Sequence, residues 1–359
     1  MRQGDYLFTR RSFLKTSAAV TAGLALAPSA GAKDEKDAVR IGTGKQTYTL
    51  DPTWGRLPSG MTYGLGCAVV VDSQDGVFVT SRSANPCVAV FDKDGKLLET
   101  WSKDFGDGIG YSPQQIAATA HGLYWNKEAD GEFLYWTENV SAPKGGPKLG
   151  ARVYKTDLKG KVLYTIGNVE KESATSQKFN FTNPTDVAIS ANGDIYVVDG
   201  YGSQLVHRFD KNFKLIKTIG GPGKEHGKFS VVHGVWINTL KKEPEVYFAD
   251  RANNRIEVYS LDLEFKRSIP GVRLPCCFYQ HDGKLFIPEL GSRVTILDEH
   301  DKVMAHLGDG EGKKVDELRK IPEKFAYPHA MTVDSKGNFY IVEWVADGRV
   351  RCFRSTPQT

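Results

Sequence analysis

Three histidines occupy the same position in alternate copies of a repeated sequence pattern. Six copies, spaced by roughly 50 residues, open with a short β-rich run, so the second residue of each run can be compared. In chain order these residues are Cys67, His121, Thr185, His233, Cys276 and His329. In a closed ring, the three imidazoles would converge on the axis at one height and leave a fourth ligand position open. That is the ligand set of a catalytic zinc site; the alternative is a consensus histidine that only packs between copies.

A second set of equivalent positions lies just after the second strand of each copy. Arginine stands there in the first and fourth copies, as Arg82 and Arg251, and Tyr201 stands there in the third. Two guanidinium groups that face each other across a channel can hold a carboxylate in a bidentate way. A tyrosine beside a metal and an arginine can have its pKa lowered and act as a general base. The alternative is that each arginine pairs with an acidic neighbour on an adjacent copy.

The elements that must position these residues are short β-strands. Within the third copy, residues 194–199, 204–209 and 215–219 read as strands separated by turn residues, and Asn192-Gly193 is one such turn. Four strands per copy and six copies predict an all-β fold, a six-bladed β-propeller. No segment after Ala32 has the periodicity of a helical domain.

The two ends of the chain predict how the ring closes. The sixth copy stops after three strands, at residues 354–357, and residues 46–50 form a spare strand before the first copy. An open sheet edge invites pairing with another chain, so joining the two ends removes that edge. We therefore expect residues 46–50 to supply the missing strand of the last blade.

The first 32 residues have the features of an export signal. Thr9-Arg10-Arg11-Ser12-Phe13-Leu14-Lys15 matches a twin-arginine motif and is followed by an apolar run that ends at Ala30-Gly31-Ala32. The run is too short and too weakly apolar to span a bilayer. We expect a signal peptide over residues 1–32, a propeller over residues 33–359, no stable membrane insertion, and a periplasmic or extracellular location.

Charge and cysteine content argue against two classes of protein. The signal peptide contributes most of the formal net charge of +4, so the rest is close to neutral and a nucleic-acid partner is not expected. Five cysteines are an odd number and do not describe a disulfide scaffold. The sequence leaves open whether Cys67, Cys276 and Cys277 bind metal or form disulfides, and it leaves the oligomeric state open.

Several motifs resemble the peptidyl-α-hydroxyglycine α-amidating lyases and their NHL-repeat relatives. The similar segments are Asp199-Gly200-Tyr201-Gly202, residues 249–256, the two His-Gly openings and Pro328-His329, and the resemblance extends over nearly all of residues 33–359. In that family a six-bladed propeller of NHL repeats binds zinc through three histidines, and a tyrosine with two arginines completes the site. The resemblance therefore implies the metal ligands His121, His233 and His329 and the catalytic residues Tyr201, Arg82 and Arg251.

Two departures from the family pattern concern cysteine and calcium. The animal lyases have a cysteine directly after the catalytic tyrosine, where this chain has Gly202, and no cysteine lies near Arg251 here. In the family, an aspartate after the last zinc histidine helps to bind a structural calcium ion, and Ala330 stands in its place. The resemblance thus implies Zn²⁺ as the cofactor and makes Ca²⁺ doubtful.

The resemblance implies cleavage of an α-hydroxyglycine carbinolamide, in a small-molecule or peptide substrate with a carboxylate, to a primary amide and glyoxylate. Zinc would polarise the substrate oxygens, Tyr201 would take the hydroxyl proton, and Arg82 with Arg251 would hold the carboxylate. Two other functions remain open: a non-catalytic propeller that binds a protein or glycan at the cell surface, and a calcium-dependent propeller hydrolase or lactonase. The latter class lines its channel with acids, whereas the channel positions here are histidines.

Overall fold

Six β-sheets form the blades of a six-bladed β-propeller, as the repeats predict. The computed structural model describes residues 38–101, 103–139 and 149–356, so the predicted signal peptide and the start of the mature chain at residue 33 lie outside it. Val39–Thr359 form one compact unit. No helix in the described ranges is long and apolar enough to cross a bilayer.

The first three blades follow the chain order, each from its inner strand at the channel to its outer strand. Blade 1 contains Gly66–Val71, Val77–Ser81, Val88–Phe91 and Leu97–Trp101. Blade 2 contains Ala120–Glu128, Gly131–Glu138, Arg152–Asp157 and Val162–Gly167, with Ser176–Lys178 added in parallel at its outer edge. Blade 3 contains Asp186–Ile189, Ile195–Asp199, Leu205–Phe209 and Leu215–Gly220.

The last three blades repeat the same antiparallel order. Blade 4 contains Val232–Asn238, Glu245–Asp250, Arg255–Ser260 and Phe265–Ile269. Blade 5 contains Tyr279–His281, Lys284–Glu289, Arg293–Leu297 and Val303–Leu307. Blade 6 contains Pro328–Val333, Phe339–Glu343 and Arg351–Ser355, which the N-terminal strands Gln46–Asp51 and Arg40–Thr43 extend outwards.

The ring closes by the predicted strand exchange between the two ends of the chain. Gln46–Asp51 pairs antiparallel with Arg351–Ser355, with Leu50 opposite Phe353. Arg40–Thr43 then pairs with Gln46–Asp51 and forms a fifth strand that the sequence analysis did not predict. Blade 6 therefore combines strands from both ends of the chain, which closes the ring, and Arg40–Thr43 becomes its outer edge strand.

Short α-helices interrupt the described β-structure in two places, although no helical domain is present among the described residues. Lys103–Ile109 and Pro113–Thr119 connect blades 1 and 2, and Val315–Leu318 lies between blades 5 and 6. The helix Pro113–Thr119 starts with a capping box, because the Ser112 hydroxyl accepts from the Gln115 backbone N–H and the Gln115 side chain accepts from the Ser112 N–H. The sequence analysis missed these helices, which are shorter than a helical periodicity can reveal.

Burial decreases from the channel to the rim of each blade. Every residue of Gly66–Val71 and Val77–Ser81 is buried, whereas Leu215–Gly220 and Val303–Leu307 on the rim are exposed or half-buried apart from Leu307. Inner strands pack against neighbouring blades on both faces, so they read as continuous apolar runs rather than as alternating ones. The inner strands line the central channel and run in the same direction. Their first residues lie at one end of the channel, where the candidate site residues stand.

Candidate metal centre and active site

His121, His233 and His329 meet at the channel axis. Their ring nitrogens that could bind a metal ion all lie within 4.8 Å of one another, and the ring centroids are 4.9 to 5.1 Å apart. All three side chains are buried, with exposed fractions of 2%, 2% and 3%. The convergence that the alternate blades predicted is therefore present in the structure.

Backbone carbonyls of the intervening blades orient the three imidazoles. Each Nδ1 lies 2.6 to 2.8 Å from a carbonyl oxygen of the following blade. These oxygens belong to Thr185 for His121, Cys276 for His233 and Cys67 for His329. A carbonyl can only accept, so each Nδ1 must carry the proton and each Nε2 keeps its lone pair.

The remaining ring nitrogens fit a metal ion. Nε2 of His121 and of His233 are buried and have no hydrogen-bond partner among the described residues. Buried polar atoms without a partner are rare in folded proteins and require a reason. The three imidazoles are neutral, and the carbonyls bound to their Nδ1 atoms fix their tautomers. With a fourth position left open, they form a suitable donor set for a catalytic transition-metal site.

Burial keeps these imidazoles neutral. Loss of hydration lowers the pKa of His121 and of His233 well below the usual histidine value, and it lowers the pKa of His329 to about 3. Neighbouring positive charges, including Arg251, act in the same direction. Neutral imidazole is the form that binds a metal.

Cys67 and Cys276, which stand in blades between those of the histidines, form hydrogen bonds to backbone carbonyls and do not pair with each other. Cys67, Cys276 and Cys277 are free thiols. The Cys67 Sγ donates to the Ala120 carbonyl at 3.3 Å, just as the Thr185 hydroxyl donates to the Val232 carbonyl at 3.1 Å. Each of these carbonyls directly precedes a metal-site histidine. Burial raises the pKa of the Cys67 and Cys276 thiols to about 12 and about 11, which disfavours the thiolate that a metal would require.

Tyr201 and Arg251 form a hydrogen-bonded pair beside the histidines. The Arg251 Nη2 donates to the Tyr201 hydroxyl at 2.8 Å. The Tyr201 ring centroid lies 5.7 Å from that of His121 and 5.8 Å from that of His233. The structure thus places Tyr201 and Arg251 beside the histidines, at the channel end that the sequence predicted.

Burial and charge act in opposite directions on the Tyr201 phenol. Burial is the larger influence and raises its pKa above the usual value, whereas the guanidinium groups of Arg251 and Arg82 lower it. The sequence analysis expected a lowered pKa, and the protein residues alone do not produce one. The arginines reduce, but do not cancel, the effect of removing the phenol from water.

Arg82 lies at the same end of the channel in blade 1. Its Nη2 donates to the Asn139 carbonyl at 2.8 Å, and its Nε donates to the Ala120 carbonyl at 3.3 Å. Within the described part of the chain, neither Arg82 nor Arg251 forms an ion pair with a carboxylate. The alternative interpretation, in which these two arginines neutralise acids on adjacent blades, is therefore not what the structure shows.

In four blades the second strand ends in an acidic residue that an arginine other than Arg82 or Arg251 neutralises. Four buried carboxylates that end the second strands are each paired with an arginine of their own blade. The pairs are Glu138 with Arg152, Asp250 with Arg255, Glu289 with Arg293, and Glu343 with Arg351. Arg82 and Arg251 therefore remain as positive groups available to an anion.

Trp344 is a site residue that the sequence analysis did not select. Its ring stacks on the His329 ring at 4.8 Å and 30°, and the Arg82 guanidinium carbon lies 5.0 Å from the indole centroid. The indole thus links the metal-site histidines to Arg82. The signal was present in the sequence, because Trp344 follows Glu343 at the position that Arg251 occupies after Asp250.

Comparisons with known proteins agree with this architecture. A model of the NHL repeat matches residues 181–209, which span the first three strands of blade 3. The chain is a six-bladed β-propeller with an NHL repeat in blade 3. A model of the twin-arginine translocation signal matches residues 7–27, so the NHL propeller is exported by that pathway.

Curated relatives of the NHL propeller include lyases. It is 30% identical over 229 residues to the human NHL repeat-containing protein 3, a match that covers 63% of this chain and 60% of that protein. It is 29% identical over 190 residues, 52% of this chain and 47% of the relative, to a probable peptidyl-alpha-hydroxyglycine alpha-amidating lyase of Caenorhabditis elegans. The peptidyl-alpha-hydroxyglycine alpha-amidating lyase 2 of Drosophila melanogaster is 22% identical over 255 residues, 70% of this chain and 55% of that enzyme. The matched region is thus less than two thirds of the length of each relative.

Solved structures share the fold of the NHL propeller. A gluconolactonase of Xanthomonas campestris matches with a TM-score of 0.57 and 12% identity, covering 89% of this chain and 95% of that one. A streptogramin B lyase matches with a TM-score of 0.52 and 15% identity, covering 87% and 88%. At such low identity these likenesses establish the propeller fold and leave the chemistry to the site residues.

The channel continues beyond the histidines as a cavity of about 350 Å³. It is lined by inner-strand residues and extends to Asn126, Thr239 and Gln280 at the opposite end. Asp186 contributes a carboxyl to its wall, and the Oδ2 of that carboxyl accepts from the Val235 backbone N–H at 3.1 Å. Burial raises the pKa of Asp186 to about 7.

Replacement of Asp186 by Asn is expected to alter how stability depends on pH. Between about pH 4 and pH 7 the folded state keeps a proton on Asp186 that the unfolded state releases, so the stability of the wild type falls as pH rises. The nearby Tyr124 phenol and Cys277 thiol stay neutral in this window, because burial raises the pKa of both. Urea unfolding at several pH values should show the wild type losing on the order of 4 kcal/mol relative to Asp186→Asn across the window. Parallel curves for the two proteins would contradict this prediction.

Proposed function

We propose that the protein is a zinc-dependent carbon–nitrogen lyase that cleaves an α-hydroxyglycine-type carbinolamide to a primary amide and glyoxylate. The observation that carries the proposal is a single constellation at one channel end: three converging histidines, the Tyr201–Arg251 pair, and a second arginine that has no carboxylate partner among the described residues. Similarity to two amidating lyases supports it, at 29% and 22% identity over part of their lengths.

The three histidines would hold the metal through their Nε2 atoms. Their carbonyl-bound Nδ1 atoms keep the rings in one orientation, so binding requires little rearrangement of the protein. When bound, zinc supplies Lewis acidity toward the substrate oxygens. The buried neutral imidazoles favour this ion over hard cations such as calcium, which prefer oxygen ligands.

Arg82 and Arg251 would bind the substrate carboxylate. Both guanidinium groups are half-buried, and carbonyl, phenol and indole contacts hold them in place. A half-buried cation without a counter-charge attracts an anion more strongly than a fully solvated one. The substrate of this site is therefore expected to carry a carboxylate next to the reacting carbon.

Tyr201 would accept the proton of the carbinol hydroxyl. As that O–H bond breaks, its electron pair forms the C=O bond of glyoxylate, and the C–N bond electrons leave with the amide nitrogen. The nitrogen takes up one proton, so R-CO-NH-CH(OH)-COO⁻ gives R-CO-NH₂ and OHC-COO⁻ without water or a redox partner. The Arg251 hydrogen bond to the Tyr201 oxygen favours the phenolate that can accept the proton.

Metal content and glyoxylate release test this proposal together. Purified wild type should contain about one zinc ion per chain and release glyoxylate from N-benzoyl-α-hydroxyglycine. His233→Ala removes one of three ligands, so we expect it to lose the metal and the activity. His300→Ala is the matched control, because the His300 side chain is exposed on the turn before Val303–Leu307 and should leave both properties unchanged.

Three outcomes would each reject the proposal. A wild type without any transition metal would favour the non-catalytic propeller that binds a protein or glycan. Tightly bound calcium with no zinc would favour the hydrolase or lactonase. Zinc that depends on His233, without glyoxylate release, would leave a metal site whose reaction is a different one.

A further inference from the structure

The three histidines line one end of the cavity and separate this chamber from the channel end that carries Tyr201 and Arg251. The three imidazole centroids are only 4.9 to 5.1 Å apart, which leaves no passage for an organic molecule between them. Tyr201 and Arg251 lie at the end where the inner strands begin, whereas the chamber extends to the end where those strands finish. A substrate held by the arginines therefore cannot fill the chamber, and a ligand of the chamber must enter from the opposite mouth.

Aromatic side chains from three blades line the chamber. Tyr124, Trp236 and Tyr279 form a continuous row, with ring centroids 5.7 Å and 5.6 Å apart for the two successive pairs. No lysine or arginine lines it within residues 38–101, 103–139 and 149–356. The chamber thus differs in charge from the other end of the channel, where two arginines stand.

Asp186 is the one carboxylic acid among the lining residues, and no ion pair neutralises it within the described chain. Its position directly after Thr185 places it one residue beyond the histidine layer. The hydrogen bond from the Val235 N–H requires only an acceptor, which an asparagine would supply without the free-energy penalty of burying a charge. The carboxyl is therefore better explained by a cationic partner.

We propose that this chamber binds a small organic cation: a primary ammonium group attached to an apolar body of about one ring. The ammonium contacts the Asp186 carboxylate, and the apolar body lies among Tyr124, Trp236 and Tyr279, whose π-systems also attract a cation. A volume of about 350 Å³ is at the lower end of the range for small-molecule sites and suits a ligand of this size. The carboxylate disfavours anions, so this ligand differs in class from the carboxylate substrate proposed for the other end.

Calorimetric titration with benzylamine and with benzyl alcohol tests the proposal, since the two probes differ mainly in charge. At about pH 8, above the Asp186 pKa of about 7, benzylamine should bind to the wild type. Asp186→Asn keeps an acceptor for the Val235 N–H but removes the charge, so benzylamine should bind at least about tenfold more weakly. Benzyl alcohol should bind equally to both. Glu170→Gln, which removes an exposed carboxylate, is the control and should bind benzylamine as the wild type does.

A second variant makes the test independent of Asp186. Trp236→Leu should weaken benzylamine binding by about fivefold through loss of the ring's attraction for the cation. Equal affinity of the wild type for the two probes, or undiminished benzylamine binding by Asp186→Asn, would overturn the proposal. Asp186-dependent binding of calcium that displaces benzylamine would also overturn it, because the chamber would then be a metal site.

Discussion

Replacement of Tyr201 by Phe is expected to lower the rate of glyoxylate release by about 10²- to 10⁴-fold while the zinc content stays at the wild-type value. Phe keeps the ring that packs against His121 and His233 but lacks the hydroxyl that Arg251 contacts. The reaction would then lose its proton acceptor without losing the metal. Single-turnover kinetics with metal-loaded enzyme would separate the chemical step from product release.

Tyr164→Phe is the matched control for this prediction. Tyr164 lies on an outer strand of blade 2, stacks on Phe213, and is remote from the channel. Its hydroxyl donates to the Gln177 side chain at 3.4 Å, far from the channel, so the change should leave the rate unaffected. An undiminished rate in Tyr201→Phe would exclude Tyr201 as the base, even if the histidine variants confirmed the metal site.

Replacement of Glu343 by Ala is expected to lower the free energy of unfolding by about 3–5 kcal/mol. Glu343 is fully buried and pairs with both Arg351 and Arg349. Its removal leaves Arg351, which is 7% exposed, as a buried charge whose remaining polar partners among the described residues are the Pro322 and Lys324 carbonyls. The loss falls in blade 6, which joins the two ends of the chain. Urea unfolding would measure it.

Glu311→Ala serves as the comparison for a surface ion pair. Glu311 lies 3.1 Å from Arg273, but its side chain is 77% exposed. Water screens such a pair, so we expect a change of at most about 1 kcal/mol. The double variant Glu343→Ala with Arg351→Met should recover part of the loss, because it removes the unpaired charge. Similar losses for Glu343→Ala and Glu311→Ala would show that burial does not control the Glu343 pair.

The six repeats and their equivalent positions were readable from the sequence. A propeller places equivalent repeat positions at equal heights along its channel, so a pattern in the chain becomes a ring in space. For this reason His121, His233 and His329 could be selected together before their distances were known. The same argument placed Tyr201, Arg82 and Arg251 at one end, and the missing strand of the last copy predicted ring closure.

Other features depended on contacts between blades, which no repeat pattern encodes. Trp344 occupies a readable position, but only its stacking on His329 connects it with Arg82. The Nδ1 hydrogen bonds to the carbonyls of the following blades involve atoms that every residue possesses, so residue types cannot reveal them. The strand Arg40–Thr43 is stabilised by pairing with its neighbour, and its own four residues carry too little pattern to predict.

Residue type and spacing thus established the fold and the chemical groups at one channel end, because periodicity in the chain maps directly onto height in the ring. The tertiary structure decided the charge balance and the partition of the channel. It showed which arginines have no carboxylate partner in the part of the chain that the structure describes, and that burial rather than the arginines controls the Tyr201 pKa. It also showed that Asp186 is the one carboxylic acid among the described residues that line the aromatic chamber. These properties follow from burial and from distances between side chains of different blades, and both arise only when all six blades pack together.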